Sequence, residues 1–526
     1  MISKTIVLSV FFLCTSLLGL QNTAYGRGGF FDSFDLPYSG EFLTYHAEDL
    51  NNDQLTDILI FTRRRAASGR EIRWLSVFIQ QEKGFRERPN QTFKIPENLI
   101  LYDTGNIAGD ASKELIYFTT GELQYFALQK DGFDLQPRKL FSVESIFMLS
   151  DRKTIRQWDF VKDFNHDGLD DIFIQQITKA IIFFQKSNED AWQQNELPLS
   201  TESRVFGFYD PRFSVGHKSD AIYSTPYILL QDFNIDGRKD LLGIYKDSLV
   251  VFYQNESGLF DPNSYGKLPL DFGEIWRGAK IQRTHLDDKS EKRYLMRIKD
   301  INNDSLLDIV STRLSTKESL INPKTEVHIH YGKINAGNGA AGVTFRRQPD
   351  QVVKPEGSMM VLNILDINSD KRDDLIIPFV KIGVSQIIKM LLTRSVSIEA
   401  AHYLMQANSR FPEKPDGKNT MNVKFSFKGG AASPVYEIAD FNGDGFFDVL
   451  GSSDEQRLLI YWGDKGKLAH SSVGEKFSVP LPQDGTLVRT RDLNADKHSD
   501  VIIAYNEDDF ARKKLPRALR ILLARR

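Results

Sequence analysis

Seven stretches of this chain place oxygen-bearing side chains at the first, third, fifth and ninth positions of one nine-residue pattern, Asp-x-Asn-x-Asp-x-x-x-Asp. The residues are Asp49, Asn51, Asp53 and Asp57; Asp163, Asn165, Asp167 and Asp171; Asp232, Asn234, Asp236 and Asp240; Asp300, Asn302, Asp304 and Asp308; Asp366, Asn368, Asp370 and Asp374; Asp440, Asn442, Asp444 and Asp448; and Asp492, Asn494, Asp496 and Asp500. Alternate positions in a tight turn aim their side chains at one point. Carboxylate and amide oxygens suit a hard cation such as calcium, which takes six to eight oxygens at about 2.3–2.6 Å. The backbone carbonyl of the seventh residue is the expected next ligand, with the ninth carboxylate closing the shell. Oxygen-only sets argue against zinc and copper, and magnesium prefers a smaller octahedral cage. The expected cofactor is therefore calcium, as several structural ions. Any one copy read alone is equally an Asx-rich turn without metal; seven copies with the same four side chains weigh against that reading.

The copies differ in detail. Gly168, Gly237 and Gly445 supply an easy left-handed turn at position six, where Gln54, Ser305, Lys371 and Lys497 stand in the other loops. Those four are expected to be strained or weaker. A worn eighth copy starts at Asn106 (NIAGDASKE), with Ala108 third and Glu114 ninth, and is expected to be empty. An EF-hand needs a Glu at position twelve and flanking helices. Position twelve here is Ile60, Ile174, Gly243, Ser311, Ile377, Gly451 or Ile503, so that reading fails.

The elements that must hold these loops are strands. Short runs rich in β-branched and aromatic residues lead into each copy and follow it at once, such as Tyr227-Ile228-Leu229-Leu230 before, and Ile58-Leu59-Ile60-Phe61 or Val501-Ile502-Ile503 after. Third and fourth strands follow, as at 74–79 and 91–95 or 458–462 and 476–479. Each unit is thus a four-stranded meander, and the starts of successive copies lie 52 to 74 residues apart, the size of an enlarged propeller blade. The last unit ends one strand short. The segment 30–36 (FFDSFDL) resembles 476–482 (KFSVPLP) in the place before a motif-bearing strand. It is the expected outer strand of the last blade, closing the ring. The fold class is all-β, a single propeller of eight four-stranded blades, with seven blades plus an added module as the alternative.

At these residues the chain resembles the FG-GAP/VCBS repeat family, the propeller repeats of integrin α-subunit heads and of many bacterial exported proteins. The likeness spans residues 30–526, and the family's D-x-N-G-D-G-x-x-D core is best kept at Asp440–Asp448. The phenylalanine-glycine and glycine-alanine-proline signatures are largely absent, so the likeness is to the calcium-loop form of the repeat. It implies a calcium-stabilised propeller acting as a binding scaffold for a protein or glycan. It also implies metal loops on one face and partners on the other.

Composition sets the remaining bounds. The chain has 526 residues, 41% hydrophobic and 26% charged, with a formal net charge of −3 and one cysteine, Cys14. This is globular composition. No positive excess serves nucleic acid, and there is no cysteine set for disulfides or zinc. Lys4 followed by the apolar run 6–20 and Ala24-Tyr25-Gly26 reads as a cleavable export signal over 1–26. The propeller then occupies 27–526, in a secreted or periplasmic protein without a membrane span and monomeric.

No Gly-x-Ser-x-Gly, His-Glu-x-x-His or phosphate-binding glycine loop is present, and no catalytic residue is assigned. His328 and His330 share one strand face and read as a packed or solvated pair. His166 and His498 read as exposed loop residues. A polysaccharide lyase or other carbohydrate-active enzyme is one alternative. It requires a base with Tyr or His at the channel mouth. A lectin is another, and requires aromatic residues repeating at one position outside the metal loop. Three departures from the plain repeat are candidate binding features: a predicted helix over 397–407 with a loop over 411–417, a glycine-rich loop over 332–342, and the aromatic segment 206–227 with Arg204, Arg212, His217 and Lys218.

Overall fold

The second strand of each unit begins at the ninth-position Asp and is apolar on both faces. In Asp57–Arg65 the first six residues are buried, and in Asp171–Gln175 and Asp240–Ile244 all five are. A strand buried on both faces needs a neighbour on each side, which explains its continuous apolar run. The period of two then sorts its side chains between two seams. Ile58 and Ile60 pack with Val501, Ile503 and Leu519 on one side. Leu59 and Phe61 pack with Leu115 and Tyr117 on the other. Outer strands alternate instead, as in Gln193–Leu197.

These elements were located in a computed structural model that describes residues 29–147, 154–186, 192–208, 218–270, 274–275, 291–319, 323–334, 342–381, 392–393, 395–424, 433–465, 467–468 and 473–525. They form eight blades in a ring. Blade 1 runs from its inner to its outer strand as Glu41–Glu48, Asp57–Arg65, Glu71–Phe78 and Gln91–Lys94. Blade 7 repeats this with Tyr436–Ala439, Asp448–Asp454, Arg457–Tyr461 and Glu475–Ser478. The unit with the worn motif is a full blade, blade 2, with Tyr102–Gly105, Glu114–Thr119, Glu122–Phe126 and Arg138–Ser142. The count is therefore eight, not seven.

Blade 8 takes three strands from the end of the chain and its outer strand from the start. The order is Val488–Arg491, Asp500–Ile503, Ala518–Ala524, then Phe31–Pro37. The antiparallel register runs from Phe31 opposite Ala524 to Pro37 opposite Ala518. The expected closure is thus present. Among the described residues no helix is long and apolar enough to cross a membrane.

One expectation fails. Residues 397–407 do not form a helix: Ser395–Tyr403 is the third strand of blade 6, between Asp374–Val380 and Gly417–Lys424. The adjacent Ala400 and Ala401 suit a helix, but pairing on both edges and burial of Ile398, Ala400, Ala401 and Tyr403 override that local preference. Of the glycine-rich loop, Lys333–Ile334 pairs with Val343–Thr344 in a small hairpin, and 335–341 lie outside the described residues. The aromatic segment contributes Glu202–Phe208 paired with Lys218–Ser224, while 209–217, with Arg212 and His217, lie outside them. The export segment 1–26 and Cys14 are likewise outside.

Candidate metal centres

Each motif is the turn from the inner to the second strand of its blade, and its side chains are tied to its own backbone. In the loop at Asp49, the Asp49 carboxylate accepts the N–H of Asp53 at 3.1 Å and of Gln54 at 2.9 Å. Asn51 Oδ1 accepts the Asp53 N–H at 3.2 Å, and Asp53 Oδ1 accepts the Leu55 N–H at 2.9 Å. Asn51 Nδ2 donates to Asp53 Oδ2 at 2.9 Å. The same five bonds recur in the loops at Asp163, Asp232, Asp300 and Asp366. The first and third side chains thereby meet at the N–H of the fifth residue, and the third also bonds the fifth carboxylate. In the last loop Asn494 Oδ1 is buried without a hydrogen-bond partner, an atom that a cation would satisfy. Among the described residues, no three His, Cys, Asp or Glu side chains already converge on one metal position. The donor set is two carboxylates and an amide oxygen, with the ninth Asp behind them, and it fits a hard cation by its chemistry.

The turns need left-handed backbone at two positions. Position six has φ of +68° at Gln54 and Ser305 and +70° at Lys371 and Lys497, as expected of the loops without glycine there. Position four is left-handed too, at Asn52, His166, Ile235, Asn303, Ser369, Gly443 and Ala495, which sequence reasoning missed. Gly, Asn and His tolerate this better than other residues; a β-branched side chain does not. Ile235, at φ +63° and 43% exposed, carries strain without burial to offset it. Ile235→Gly is expected to stabilise the protein by about 1 kcal/mol, read as a raised midpoint in chemical denaturation. An unchanged or lower midpoint refutes the strain.

The ninth Asp does more than face the loop. Each is buried and accepts backbone N–H groups from position two of its own loop and from a residue at or just past the end of the third strand. For Asp57 these are Leu50 at 3.1 Å and Gln80 at 2.8 Å; for Asp500, Leu493 at 2.8 Å and Ala524 at 2.7 Å. The pattern holds at Asp171, Asp240, Asp308, Asp374 and Asp448. Burial pushes these carboxyls up to about 6 or 7. The N–H bonds oppose that rise, and nearby loop carboxylates add to it. In the worn copy Glu114 keeps the loop half of this duty, accepting the Ile107 N–H at 3.0 Å. The ninth Asp thus fastens three strands of a blade, and in the worn copy the bond to the loop persists although the third-position ligand has gone.

A second network joins neighbouring blades at the carbonyl of position two. Lys113 N donates to Leu50 O, Thr56 N to Leu493 O and Asp373 N to Ile301 O. In blades 3 and 4 the residue at the end of the third strand that donates this N–H is a glutamine whose amide reaches back to the preceding loop, Gln185 to Ile107 O and Gln254 to Phe164 O. The Gln80 amide, in the orientation that satisfies it, donates to Leu493 O at 3.3 Å and Thr56 O at 2.7 Å. Sequence reasoning missed these glutamines. The loops of blades 7 and 8 also touch: Ser499 N donates to Asp440 O, and a Cβ on Gly443 would lie 3.0 Å from the His498 ring. His498 is therefore packed rather than exposed, while His166 is exposed. The His328 and His330 pair holds no common point: His328 Nε2 meets Glu326 at 3.1 Å and His330 Nδ1 meets Arg346 O at 2.9 Å.

Position seven differs between loops. Leu55, Leu169, Leu306 and Phe446 are apolar. Arg238 and Arg372 instead turn back on the fifth carboxylate of their own loop, each with Nη2 2.6 Å from Oδ2, of Asp236 and Asp370 respectively, and in the last loop the imidazole of His498 lies with Nδ1 at the longer distance of 3.3 Å from Asp496 Oδ1.

Ring and loops together define a class, the eight-bladed β-propeller with an Asp/Asn turn at the inner edge of its blades. The FG-GAP-like repeat family matches residues 440–503, the stretch from the motif of blade 7 to the second strand of blade 8, and the eight-bladed ring fits a propeller built of such repeats. Comparison with curated proteins finds no match. Among solved structures, an Agrocybe aegerita lectin that recognises non-reducing terminal N-acetylglucosamine is 13% identical with a TM-score of 0.38, over 89% of this chain and 98% of that one. The V. cholerae biofilm matrix protein Bap1 is 11% identical with a TM-score of 0.29, over 94% of this chain and 92% of that one.

Proposed function

We propose that the protein is a calcium-stabilised propeller serving as a binding scaffold, with a protein or glycan as its ligand. The observation that carries this reading is the rebuilding of one three-side-chain arrangement, by the same hydrogen bonds, at the same place in blade after blade. The first Asp, the Asn and the fifth Asp of a loop would hold the cation with the seventh carbonyl, and the ninth Asp adds its charge from behind. The cation supplies positive charge where carboxylates crowd. Its role is structural, since each loop joins the two innermost strands of a blade and touches the next blade. A rigid closed ring presents its connecting loops as a fixed surface, which suits binding.

The test is thermal unfolding of residues 27–526 in calcium and in excess EGTA, with bound calcium counted by elemental analysis. One site at a hundredfold excess over its Kd adds about 2.7 kcal/mol, and extracellular modules bind at about 10⁻⁴–10⁻³ M. Several bound ions and a clear fall in midpoint on chelation are expected. No bound calcium and no shift would reduce the seven loops to Asx turns.

A further inference from the structure

Within the calcium reading, on which this inference rests, the loops are not equivalent. In the loops at Asp49, Asp163, Asp232, Asp300 and Asp366, the fifth Asp accepts both the Asn amide and the N–H of residue seven. In the loops at Asp49, Asp163 and Asp300, Oδ1 of that Asp takes the N–H of residue seven and Oδ2 takes the Asn amide. In the loops at Asp232 and Asp366 these bonds are also present, at 2.9 Å from the Arg238 and Arg372 N–H. A guanidinium is added to Oδ2 at 2.6 Å. Arg238 is fixed further by donating through Nε to Gln254 O at 3.1 Å, so its guanidinium spans from the loop to the end of the third strand. A charge-assisted hydrogen bond of this length is among the stronger a carboxylate makes. An incoming calcium ion must either displace the guanidinium or sit beside a like charge.

We propose that Arg238 and Arg372 are resident cations, which balance the loops at Asp232 and Asp366 without a metal ion. Calcium then goes to the loops at Asp49, Asp163, Asp300 and Asp440, whose seventh residue is apolar, and to the loop at Asp492, where Asn494 Oδ1 stands buried without a partner. Five ions per chain follow, not seven.

Native mass spectrometry and elemental analysis of residues 27–526, titrated with calcium, test this. Arg238→Met and Arg372→Met should each raise the count by one and the double variant by two. Arg238→Lys, which keeps the charge, should leave it unchanged. In EGTA each methionine variant should melt below the wild type, because a carboxylate has lost its partner, and calcium should restore the difference. A wild-type count of seven, or methionine variants with no added ion, overturns the proposal. A wild type that binds no calcium at all sinks the calcium reading instead. In that case the EGTA midpoints decide the arginines: a fall in Arg238→Met reversed in Arg238→Lys keeps them as internal cations, and no fall removes them.

Discussion

A chain that begins at residue 38 is expected to lose its closed ring and self-associate. The outer strand Phe31–Pro37 is all that covers the edge of Ala518–Ala524, in which every residue is buried. Removing it bares a seven-residue strand, apolar but for Arg520, with unpaired N–H and C=O groups, which is a template for edge-to-edge pairing. The strand also locks three blades together. Phe31 lies 4.8 Å from Phe477 and 6.3 Å from Phe441 of blade 7. Phe34 packs at 6.2 Å on Phe85 of blade 1, over Gly84, where a Cβ would meet the Phe34 ring. Leu36 is fully buried. Asp35 pairs with Arg520 through two bonds of 2.7 and 3.0 Å, and Arg525 pairs with Asp32. Truncating a buried Phe costs about 3–5 kcal/mol and a buried Leu about 2–5 kcal/mol. Phe31→Ala with Leu36→Ala therefore removes much of the roughly 5–15 kcal/mol that holds a domain folded. Size-exclusion chromatography should show oligomers of 38–526, and a synthetic peptide of residues 29–37 should return the monomer by adding its strand in trans. A monomeric 38–526 with an unchanged midpoint would show that the ring does not depend on this strand.

That closure was legible because its signal is local: a Phe-rich segment resembling 476–482 lies just before the first motif-bearing strand. The blades were legible for a related reason. The nine-residue motif fixes a turn, and the apolar runs beside it carry no competing helical period. Where two alanines sit side by side at 400–401, local propensity misled, and only pairing on both edges decided for strand. The seam was not legible at all. Gln80, Gln185 and Gln254 stand 23, 14 and 14 residues after their ninth-position Asp, because third-strand hairpins vary in length. The Arg238 and Arg372 contacts were hidden differently: a residue at position seven faces either the loop or the solvent, and spacing does not say which. The ninth Asp was found, yet its fastening of backbone N–H groups has the same residue signature as metal ligation.

Substitution of a ninth-position residue separates those two roles. Asp57→Ala leaves the N–H groups of Leu50 and Gln80 buried without acceptors. Each orphaned buried donor costs about 1–3 kcal/mol, so a loss of roughly 2–6 kcal/mol is expected. Asp57→Asn should cost about half as much, since one oxygen remains to accept while the amide faces the other N–H as a second donor. If fastening is the larger role, most of this loss must persist in EGTA, where no ion is bound in either protein. Glu114→Ala gives the matching control in the worn loop: about 1–3 kcal/mol for the orphaned Ile107 N–H, with no change in bound calcium. Urea denaturation of wild type and the three variants, in calcium and in EGTA, yields both quantities. A loss at Asp57→Ala that appears only in calcium would make the carboxylate a ligand first and a fastener second. A loss of similar size in both buffers, with one ion fewer by elemental analysis, would mean that the same carboxylate holds its blade together and completes the loop's charge, so that ion binding and blade integrity are coupled through a single side chain.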